Sequence, residues 1–258
     1  MQAPTRRFAR ALLTNDDGIE APGLAALAEA AAELADEIWI VAPEHDQSGT
    51  SRAISLHDPL RVYGRGRHRF AVGGTPSDCA ILAIRSLMRD APPDIVLSGV
   101  NRGANIGQEV AYSGTVSAAL AAKLMGVPAI AFSQAFRDRT ALRWDTAVSW
   151  IPRVFDHLDR LGGLPDTVLN VNFPDVPPDE VEGFVFTRQA TNPMMMINVD
   201  RRTDTRGADY YWMAFSREPG EQAEDSDVTA LRHRKVSITP VGFDLTDEPM
   251  LRALRDKA

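Results

Sequence analysis

The sequence is poor in cysteine and has no long apolar run. Cys79 is the single cysteine in 258 residues, so an intrachain disulfide framework is excluded and the composition suits a reducing compartment. No apolar run approaches the roughly 18 residues that a membrane-spanning helix requires. The start of the chain, MQAPTRRFAR, has arginines but is not followed by the apolar segment of a signal peptide. We therefore expect a cytoplasmic protein with no membrane partner.

An excess of positive charge is also missing. The net charge is −7 and the pI is near 5.3, whereas a protein that binds the nucleic-acid backbone usually has a basic face. We therefore expect no specific nucleic-acid binding, although small phosphorylated ligands are compatible with this charge. The GxSxG nucleophile motif is absent, and the five histidines do not have HExxH spacing. A Ser-His-Asp hydrolase and a zinc protease are therefore disfavoured.

Short apolar segments alternate with helical patterns through the first two-thirds of the chain. This alternation predicts an α/β fold, with a mostly parallel sheet that is covered by helices on both faces. One predicted helix, within TALRWDTAVSWIPRVFDHLDRLGG, contains Pro152, where we expect a kink or a break. The predicted strands in this part of the chain, apart from a β-hairpin in PLRVYGRGRHRFAVGG, are ARALLTN, EIWIVAP, PDIVLSG, PAIAFSQ and TVLNVNFP.

The pattern changes near residue 174. We predict an α/β domain over 1–174 and an extended, β-rich C-terminal subdomain over 175–258, in which strands are separated by long polar stretches. Long loops are uncommon in a compact domain unless they are functional, so self-association is one role and mobile surface loops are the alternative. The run Met194–Met196 fits either core packing, which we favour, or a soft apolar contact at an interface or over a ligand.

Polar side chains follow several of the predicted parallel strands, whose carboxyl ends meet at one edge of the sheet. Asp16 and Asp17 follow the first strand, Ser48 follows the second, and Asn101 follows PDIVLSG. Adjacent carboxylates repel unless a cation compensates, and oxygen donors without His or Cys suit Mg²⁺ or Mn²⁺. Two aspartates would neutralise a divalent ion. A solvated turn at Asp16 and Asp17, and a simple turn residue at Ser48, are the alternatives.

The segment YSGTVSAAL predicts a helix that begins near Ser113, Gly114 and Thr115. Free N–H groups at a helix N-terminus suit a phosphate, and ordinary N-capping is the alternative. Neighbours of the candidate ligands complete the set of candidate substrate contacts: Asn15, Gly49 and Asn105. For GTPSDC we favour a structural role, with Thr75 as the N-cap of a helix.

Together these segments resemble the SurE family, the survival-protein-E nucleotidases. The resemblance covers Leu12 to about Asp247, and it rests on the segments LLTNDDGIEAPGL, VAPEHDQSGTS, GTPSDC, LSGVNRGANIGQEVAYSGTVSAA, LNVNFP, DYYW and VSITPVGFDLT. It implies a Rossmann-like domain and a C-terminal part that exchanges elements between subunits of a homodimer or homotetramer. It also implies one divalent metal ion per subunit, with Asp16 and Asp17 as catalytic ligands beside Ser48 and Asn101.

The resemblance implies a phosphomonoesterase that acts on nucleoside 5′- and 3′-monophosphates. The alternatives are a short-chain polyphosphatase or general phosphatase on the same site, and a non-catalytic nucleotide-binding oligomer. The sequence departs from the family pattern at Asp46, which adds a negative charge beside the expected metal, and in the stretch that follows FTRQ. These departures leave substrate preference and the shape of the C-terminal loops open.

Overall fold

A nine-stranded β-sheet with helices on both faces is the main structural unit, and a two-stranded antiparallel hairpin stands beside it. The computed structural model describes residues 6–191, 195–217 and 220–257. The strands are β1 (Phe8–Thr14), β2 (Ala35–Pro43), β3 (Val62–Gly64), β4 (Arg69–Val72), β5 (Ile95–Arg102), β6 (Ala129–Gln134), β7 (Val168–Phe173), β8 (Phe184–Phe186), β9 (Met195–Thr203), β10 (Asp209–Arg217) and β11 (Val236–Val241).

Six α-helices connect or flank the strands in the described part of the chain. They are α1 (Pro22–Ala31), α2 (Pro76–Leu82), α3 (Gly114–Leu124), α4 (Trp144–Arg160), α5 (Asp227–Arg232) and α6 (Glu248–Arg255). Thr75 caps α2 in a capping box with Asp78, which confirms the structural role predicted for GTPSDC. Among the described residues, no helix is both long enough and apolar enough to cross a membrane.

The sheet has the strand order β3-β4-β2-β1-β5-β6-β7-β11-β8. The six consecutive strands β4, β2, β1, β5, β6 and β7 are parallel to one another. At the two ends of this run, β3 is antiparallel to β4 and β11 is antiparallel to β7. This arrangement confirms the predicted mostly parallel α/β sheet, and β3 and β4 form the predicted hairpin. The carboxyl ends of β1, β2 and β5 therefore open on the same edge.

Helices bury both faces of the sheet. Successive residues of a strand point to opposite faces, so Leu13 packs in the cluster that contains α1 and α4, and Leu12 packs in the cluster that contains α2 and α3. Both leucines are fully buried. Burial on two sides explains why the parallel strands are nearly continuous apolar runs.

Helix α4 is continuous through Pro152, so of the expected kink or break the break is wrong, and the kink stays a prediction. The apolar side of the helix, which includes Trp150, Ile151, Val154 and Phe155, is buried against the sheet. This packing holds the helix together where the proline cannot donate a hydrogen bond.

The sheet continues past residue 174. Strands β8 and β11 extend it beyond β7, so the predicted boundary between 174 and 175 is not an edge of the sheet. Among the described residues, β9 and β10 alone form a separate sheet, and the division into two domains stays a prediction. Of the methionine run, Met194 lies outside the described residues. Met196 in β9 is 45% exposed, so the favoured core packing is wrong for it.

An irregularity in β5 precedes the candidate ligand Asn101. The register between β5 and β6 shifts between Ser98 and Asn101. Gly99 has a φ of 134°, and a Cβ at this position would lie 2.3 Å from the Phe132 carbonyl oxygen. Only glycine fits this close approach of two strands. Asn101 is therefore paired with Ser133 of β6 in a register that the regular ladder would not give.

Candidate active site

A cavity of about 690 Å³ lies at the carboxyl ends of the parallel strands. All four candidate metal ligands line it, and Gly49, Asn105 and Ser113 line it as well. The remaining wall residues are Asp46, Arg102, Gly103, Ala104, Glu109, Tyr112, Phe136, Arg139, Ala214, Phe215, Ser216 and Arg217. The topology of the sheet thus brings together side chains that are far apart in sequence.

The turn after β1 places Asp16 and Asp17 below the surface. Asn15 donates a 2.9 Å hydrogen bond from Nδ2 to the Gly18 carbonyl oxygen and closes this turn. Gly18 has a φ of 101°, and a Cβ there would lie 3.2 Å from the His45 carbonyl carbon, so the turn needs glycine. Asp16 is only 4% exposed, and the Asp17 side chain is only 8% exposed. A solvated turn, the alternative reading of the pair, is therefore wrong.

Asp16 is held by the start of helix α3. The Thr115 hydroxyl donates a 2.5 Å hydrogen bond to Oδ1 of Asp16. A Cβ on Gly114 would lie 2.8 Å from the Cβ of Asp16, so glycine lets the helix N-terminus approach this closely. From the other side, the Gln47 N–H donates to the Asp16 carbonyl oxygen at 2.8 Å. The loops after β1 and β2 are therefore fixed relative to α3.

Asp17 is held by Arg102. The backbone N–H of Arg102 donates to Oδ2 of Asp17 at 3.0 Å, and its Nη2 lies 3.9 Å from Oδ1. The same Nη2 lies 3.8 Å from Oδ2 of Asp46. One guanidinium group therefore stands between two carboxylates of the wall and compensates only part of their charge.

Both carboxyl groups of the pair have raised pKa values. Burial is the largest cause at Asp16, and the neighbouring Asp17 adds to it, so the pKa of Asp16 rises from 3.8 to about 6 despite the Thr115 hydrogen bond. Burial also raises the pKa of Asp17, while the hydrogen bond and the charge of Arg102 oppose the rise. The pair is thus electrostatically unfavourable on its own at neutral pH.

Ser48 and Gly49 lie in the turn after β2. The Ser48 N–H donates to Oδ1 of Asp46 at 2.8 Å, and the hydroxyl of Ser48 is left for other contacts. Gly49 has a φ of 80° and open space around the position of a Cβ. Asp46, the departure noted in the sequence, thus shapes this turn and adds an acidic group to a wall that already has Asp16, Asp17 and Glu109.

Asn101 and Asn105 have different surroundings. Nδ2 of Asn101 donates to the Gly103 carbonyl oxygen at 2.8 Å, and the side-chain oxygen Oδ1 is the atom that can coordinate a metal ion. Nδ2 of Asn105 donates to the Ser133 hydroxyl at 2.9 Å. Asn170 and Asn172, two buried asparagines of β7, both donate hydrogen bonds to the backbone carbonyl oxygen of Asn105. Asn105 therefore anchors the loop as well as lining the cavity.

The predicted helix start at Ser113 is confirmed. Ser113, Gly114 and Thr115 differ in their surroundings, which the sequence did not reveal. Ser113 caps α3 by accepting a hydrogen bond from the Val116 N–H at 3.1 Å. Thr115 and Asn15 are fully buried, and their side chains bond to protein groups. The wall includes Ser113 but not Asn15, Gly114 or Thr115. Direct contact of phosphate with any of the six candidate residues, including those on the wall, stays a prediction.

Several wall residues were not expected from the sequence. Arg102 adjoins Asn101, which is a local signal, whereas Arg139 and Phe136 come from the loop after β6. Phe215 and Arg217 come from β10 of the separate hairpin. Nothing in the local sequence indicates that the hairpin reaches this cavity.

The donor set of the cavity is one of hard oxygen atoms. Within the described ranges, no group of three or more His, Cys, Asp or Glu side chains could hold a metal ion. The predicted ligand set has only two such side chains, and its other members are the neutral oxygens of Ser48 and Asn101. As far as the structure describes the wall, no His or Cys belongs to it. A zinc-type site is therefore disfavoured.

Comparison with known proteins gives consistent results. The family model described as survival protein SurE matches residues 11–196. The chain is 50% identical to the 5′-nucleotidase SurE 1 of Burkholderia lata over 255 residues, which cover 99% of this chain and 98% of that protein. It is 47% identical to the 5′-nucleotidase SurE of Methylobacterium radiotolerans over 244 residues, which cover 94% and 96%.

A solved structure is similar over the same length. The crystal structure of the SurE protein from Aquifex aeolicus has a TM-score of 0.80 and a sequence identity of 32%. The match covers 96% of this chain and 99% of that chain. The likeness therefore extends over nearly the whole chain.

Proposed function

The chain belongs to the SurE family, and from this premise we propose that it is a 5′-nucleotidase that depends on a divalent metal ion. The reaction is hydrolysis of a nucleoside 5′-monophosphate, and also of 3′-monophosphates, to nucleoside and phosphate. Similar proteins of Burkholderia lata and Methylobacterium radiotolerans carry the name 5′-nucleotidase. The observation that carries the metal dependence is the buried pair Asp16 and Asp17 on the wall of an oxygen-lined cavity.

The charge of this pair supports a divalent cation. In the described parts of the chain, no Lys or Arg forms an ion pair with Asp16. Nη2 of Arg102 comes no closer than 3.9 Å to Oδ1 of Asp17. Burial that is only partly compensated raises both pKa values. A group with two positive charges would remove this unfavourable energy, and Mg²⁺ or Mn²⁺ prefers the oxygen atoms that are present.

Four residues would hold the ion: Asp16, Asp17, Ser48 and Asn101. Two carboxylates neutralise a divalent charge, and the two neutral oxygens leave about two of ~6 coordination positions for water or phosphate oxygen. When bound, such an ion supplies charge neutralisation at the phosphate and lowers the pKa of water. The transfer of a phosphoryl group needs mainly positioning and charge compensation.

Helix α3 contributes to phosphate binding through its N-terminus. Ser113 caps the Val116 N–H, and the first intrahelical bond runs from Ser117 to the Ser113 carbonyl oxygen. The N–H groups of Gly114 and Thr115 therefore have no partner within the helix. These groups and the positive end of the helix dipole would attract an anion beside Asp16.

Two arginines offset part of the negative charge of the cavity wall. Arg102 and Arg139 both line the cavity, and the charges of both lower the pKa of Asp17. In the complex they would contact the oxygens of the phosphate and offset its charge, since guanidinium groups bind phosphate through two parallel hydrogen bonds. Asp46 near Arg102 would then help to orient the guanidinium group.

Self-association is part of the proposal. The hairpin of β9 and β10 exposes Tyr211, Trp212, Met213 and Val199, and such apolar patches are typical of interfaces. Helix α6 has no buried residue, although its sequence is amphipathic. We propose a homodimer or homotetramer in which these surfaces are covered.

A panel of substrates and metals tests the function. Purified protein is given nucleoside 5′- and 3′-monophosphates, short polyphosphate and sugar phosphates, each with Mg²⁺, Mn²⁺ or EDTA. We expect phosphate release from nucleoside monophosphates that EDTA abolishes. Faster release from polyphosphate would favour the short-chain polyphosphatase, faster release from sugar phosphates a general phosphatase, and binding without release the nucleotide-binding oligomer. Undiminished release in EDTA contradicts the metal dependence.

A further inference from the structure

Two aromatic side chains face each other on the wall of the cavity. Tyr112 and Phe215 have ring centroids 5.8 Å apart, and their planes are inclined by 44°. They are 40% and 53% exposed, and both line the cavity that contains Asp16 and Asp17. Exposed aromatic faces inside a polar cavity are unfavourable in water unless a ligand covers them.

Tyr112 is held next to the start of helix α3. It is the last residue of a 3₁₀ helix, Gly107–Tyr112, and Ser113 follows as the cap of α3. The hydroxyl of Ser51 donates to the Ala111 carbonyl oxygen at 2.7 Å, and the Ser51 N–H donates to the Tyr112 carbonyl oxygen at 3.3 Å. The backbone that carries the Tyr112 ring is therefore held beside the candidate phosphate site.

Phe215 is brought to the cavity by an ion pair two residues further along β10. The guanidinium group of Arg217 binds both carboxylate oxygens of Glu109, at 2.6 and 2.5 Å, and it also donates to the Ala104 carbonyl oxygen at 2.9 Å. Residues two apart in a strand lie on the same face. The pair of Arg217 and Glu109 thus fixes the face of β10 that carries Phe215.

We propose that Tyr112 and Phe215 bind the nucleobase of the substrate by stacking. The proposal rests on the proposed function, since it assumes a nucleoside monophosphate in this cavity. A base between two parallel rings would need centroids about 7 Å apart, so the base packs against the exposed ring faces and does not insert between them. Stacking accepts any base, and purines gain more because their ring surface is larger.

The experiment compares AMP with ribose 5-phosphate, which has the same phosphate ester but no base. For Phe215→Ala, we expect the KM for AMP to rise about tenfold with little change in kcat. In Phe215→Ala, the ratio of kcat/KM for AMP to kcat/KM for ribose 5-phosphate should fall by a similar factor. In Phe215→Tyr, which keeps an aromatic ring, this ratio should stay close to that of the unaltered protein. Tyr63→Ala is the matched control, because Tyr63 in β3 is an exposed aromatic that neither lines the cavity nor belongs to the proposed interface.

The outcomes separate this inference from the proposed function. If the unaltered protein hydrolyses AMP and the ratio is the same in Phe215→Ala, the stacking site is wrong and the nucleotidase stands. If the unaltered protein hydrolyses neither compound, the proposed function fails, and adenosine binding measured by calorimetry then tests the stacking site alone. A Kd about tenfold higher in Phe215→Ala supports the site, and an equal Kd overturns it.

Discussion

The hydroxyl of Thr115 donates a 2.5 Å hydrogen bond to the carboxylate of Asp16, and the two residues are 99 positions apart in the chain. The bond joins the end of β1 to the first turn of α3 inside the protein. It lowers the pKa of a carboxyl group that burial raises. A buried hydroxyl thus helps to keep Asp16 ionised, which is the form that a divalent cation requires.

Replacement of Thr115 tests this role. In Thr115→Val the ionised form of Asp16 loses its hydrogen bond while the volume of the side chain is nearly kept. We expect the Kd for Mn²⁺ at pH 7 to rise about tenfold, as for a hydrogen bond to a charged group. Thr115→Ser keeps the hydroxyl and should bind Mn²⁺ nearly as the unaltered protein does. Calorimetric titration with Mn²⁺ measures both, and equal affinity in the valine variant would refute the role.

Asp17→Asn tests the catalytic carboxylate. The amide keeps the shape of the side chain and can still accept the Arg102 hydrogen bond, so the fold should be preserved. The loss of one charged metal ligand should lower kcat for AMP by at least about a hundredfold. Phosphate release and the thermal midpoint are measured together. Full activity in this variant rejects the ligand assignment.

The raised pKa of Asp16 predicts a pH-dependent effect on stability. A carboxyl group whose pKa is 3.8 in the unfolded chain and about 6 in the folded protein binds its proton more tightly when folded. Its favourable contribution is complete below pH 3.8 and is lost as the pH rises through about 6.

The measurement uses Asp16→Asn, which cannot ionise, in the presence of EDTA. The free energy of unfolding of this variant relative to the unaltered protein should be larger at pH 8 than at pH 5, by on the order of 1 kcal/mol. Urea unfolding at the two pH values gives the difference. A relative stability that does not change with pH would mean that Asp16 titrates normally in the fold.

Gly114→Ala tests the close approach of α3 to Asp16. The added methyl group would lie 2.8 Å from the Cβ of Asp16 and 3.0 Å from Oδ2 and from the ring of Pro76, so the helix must move. We expect a loss of stability of about 1–3 kcal/mol and a lower affinity for Mn²⁺. Gly64→Ala is the control, because nothing lies within 4 Å of a Cβ at Gly64. Equal stability of the two variants contradicts the tight contact.

The convergence of the candidate ligands was predictable because parallel strands have a common edge. The alternating pattern already predicts a mostly parallel sheet. Asp16, Asp17, Ser48 and Asn101 lie at or after the carboxyl ends of three of its strands, and they line one cavity. The register shift before Asn101 was harder to predict from the sequence, because it depends on the close approach of Gly99 in β5 to Phe132 in β6.

The rest of the cavity depends on contacts that local sequence does not encode. Arg217 reaches Glu109 across 108 positions of the chain, and only the folded hairpin places Phe215 beside Tyr112. Asn170 and Asn172 are polar residues in a buried strand. Buried polar side chains need hydrogen-bond partners, and the sequence alone did not show which groups these are. Their shared hydrogen bonds to Asn105 supply the reason.

Direct titration with Mn²⁺ is the most decisive test of the proposed cation at Asp16 and Asp17. Protein that has been treated with EDTA and dialysed is titrated at pH 7.5, and bound Mn²⁺ is counted by electron paramagnetic resonance. The proposal predicts one ion per subunit in the unaltered protein and loss of that ion in the double variant Asp16→Asn, Asp17→Asn. Binding of the same ion with the same affinity in both proteins would contradict it.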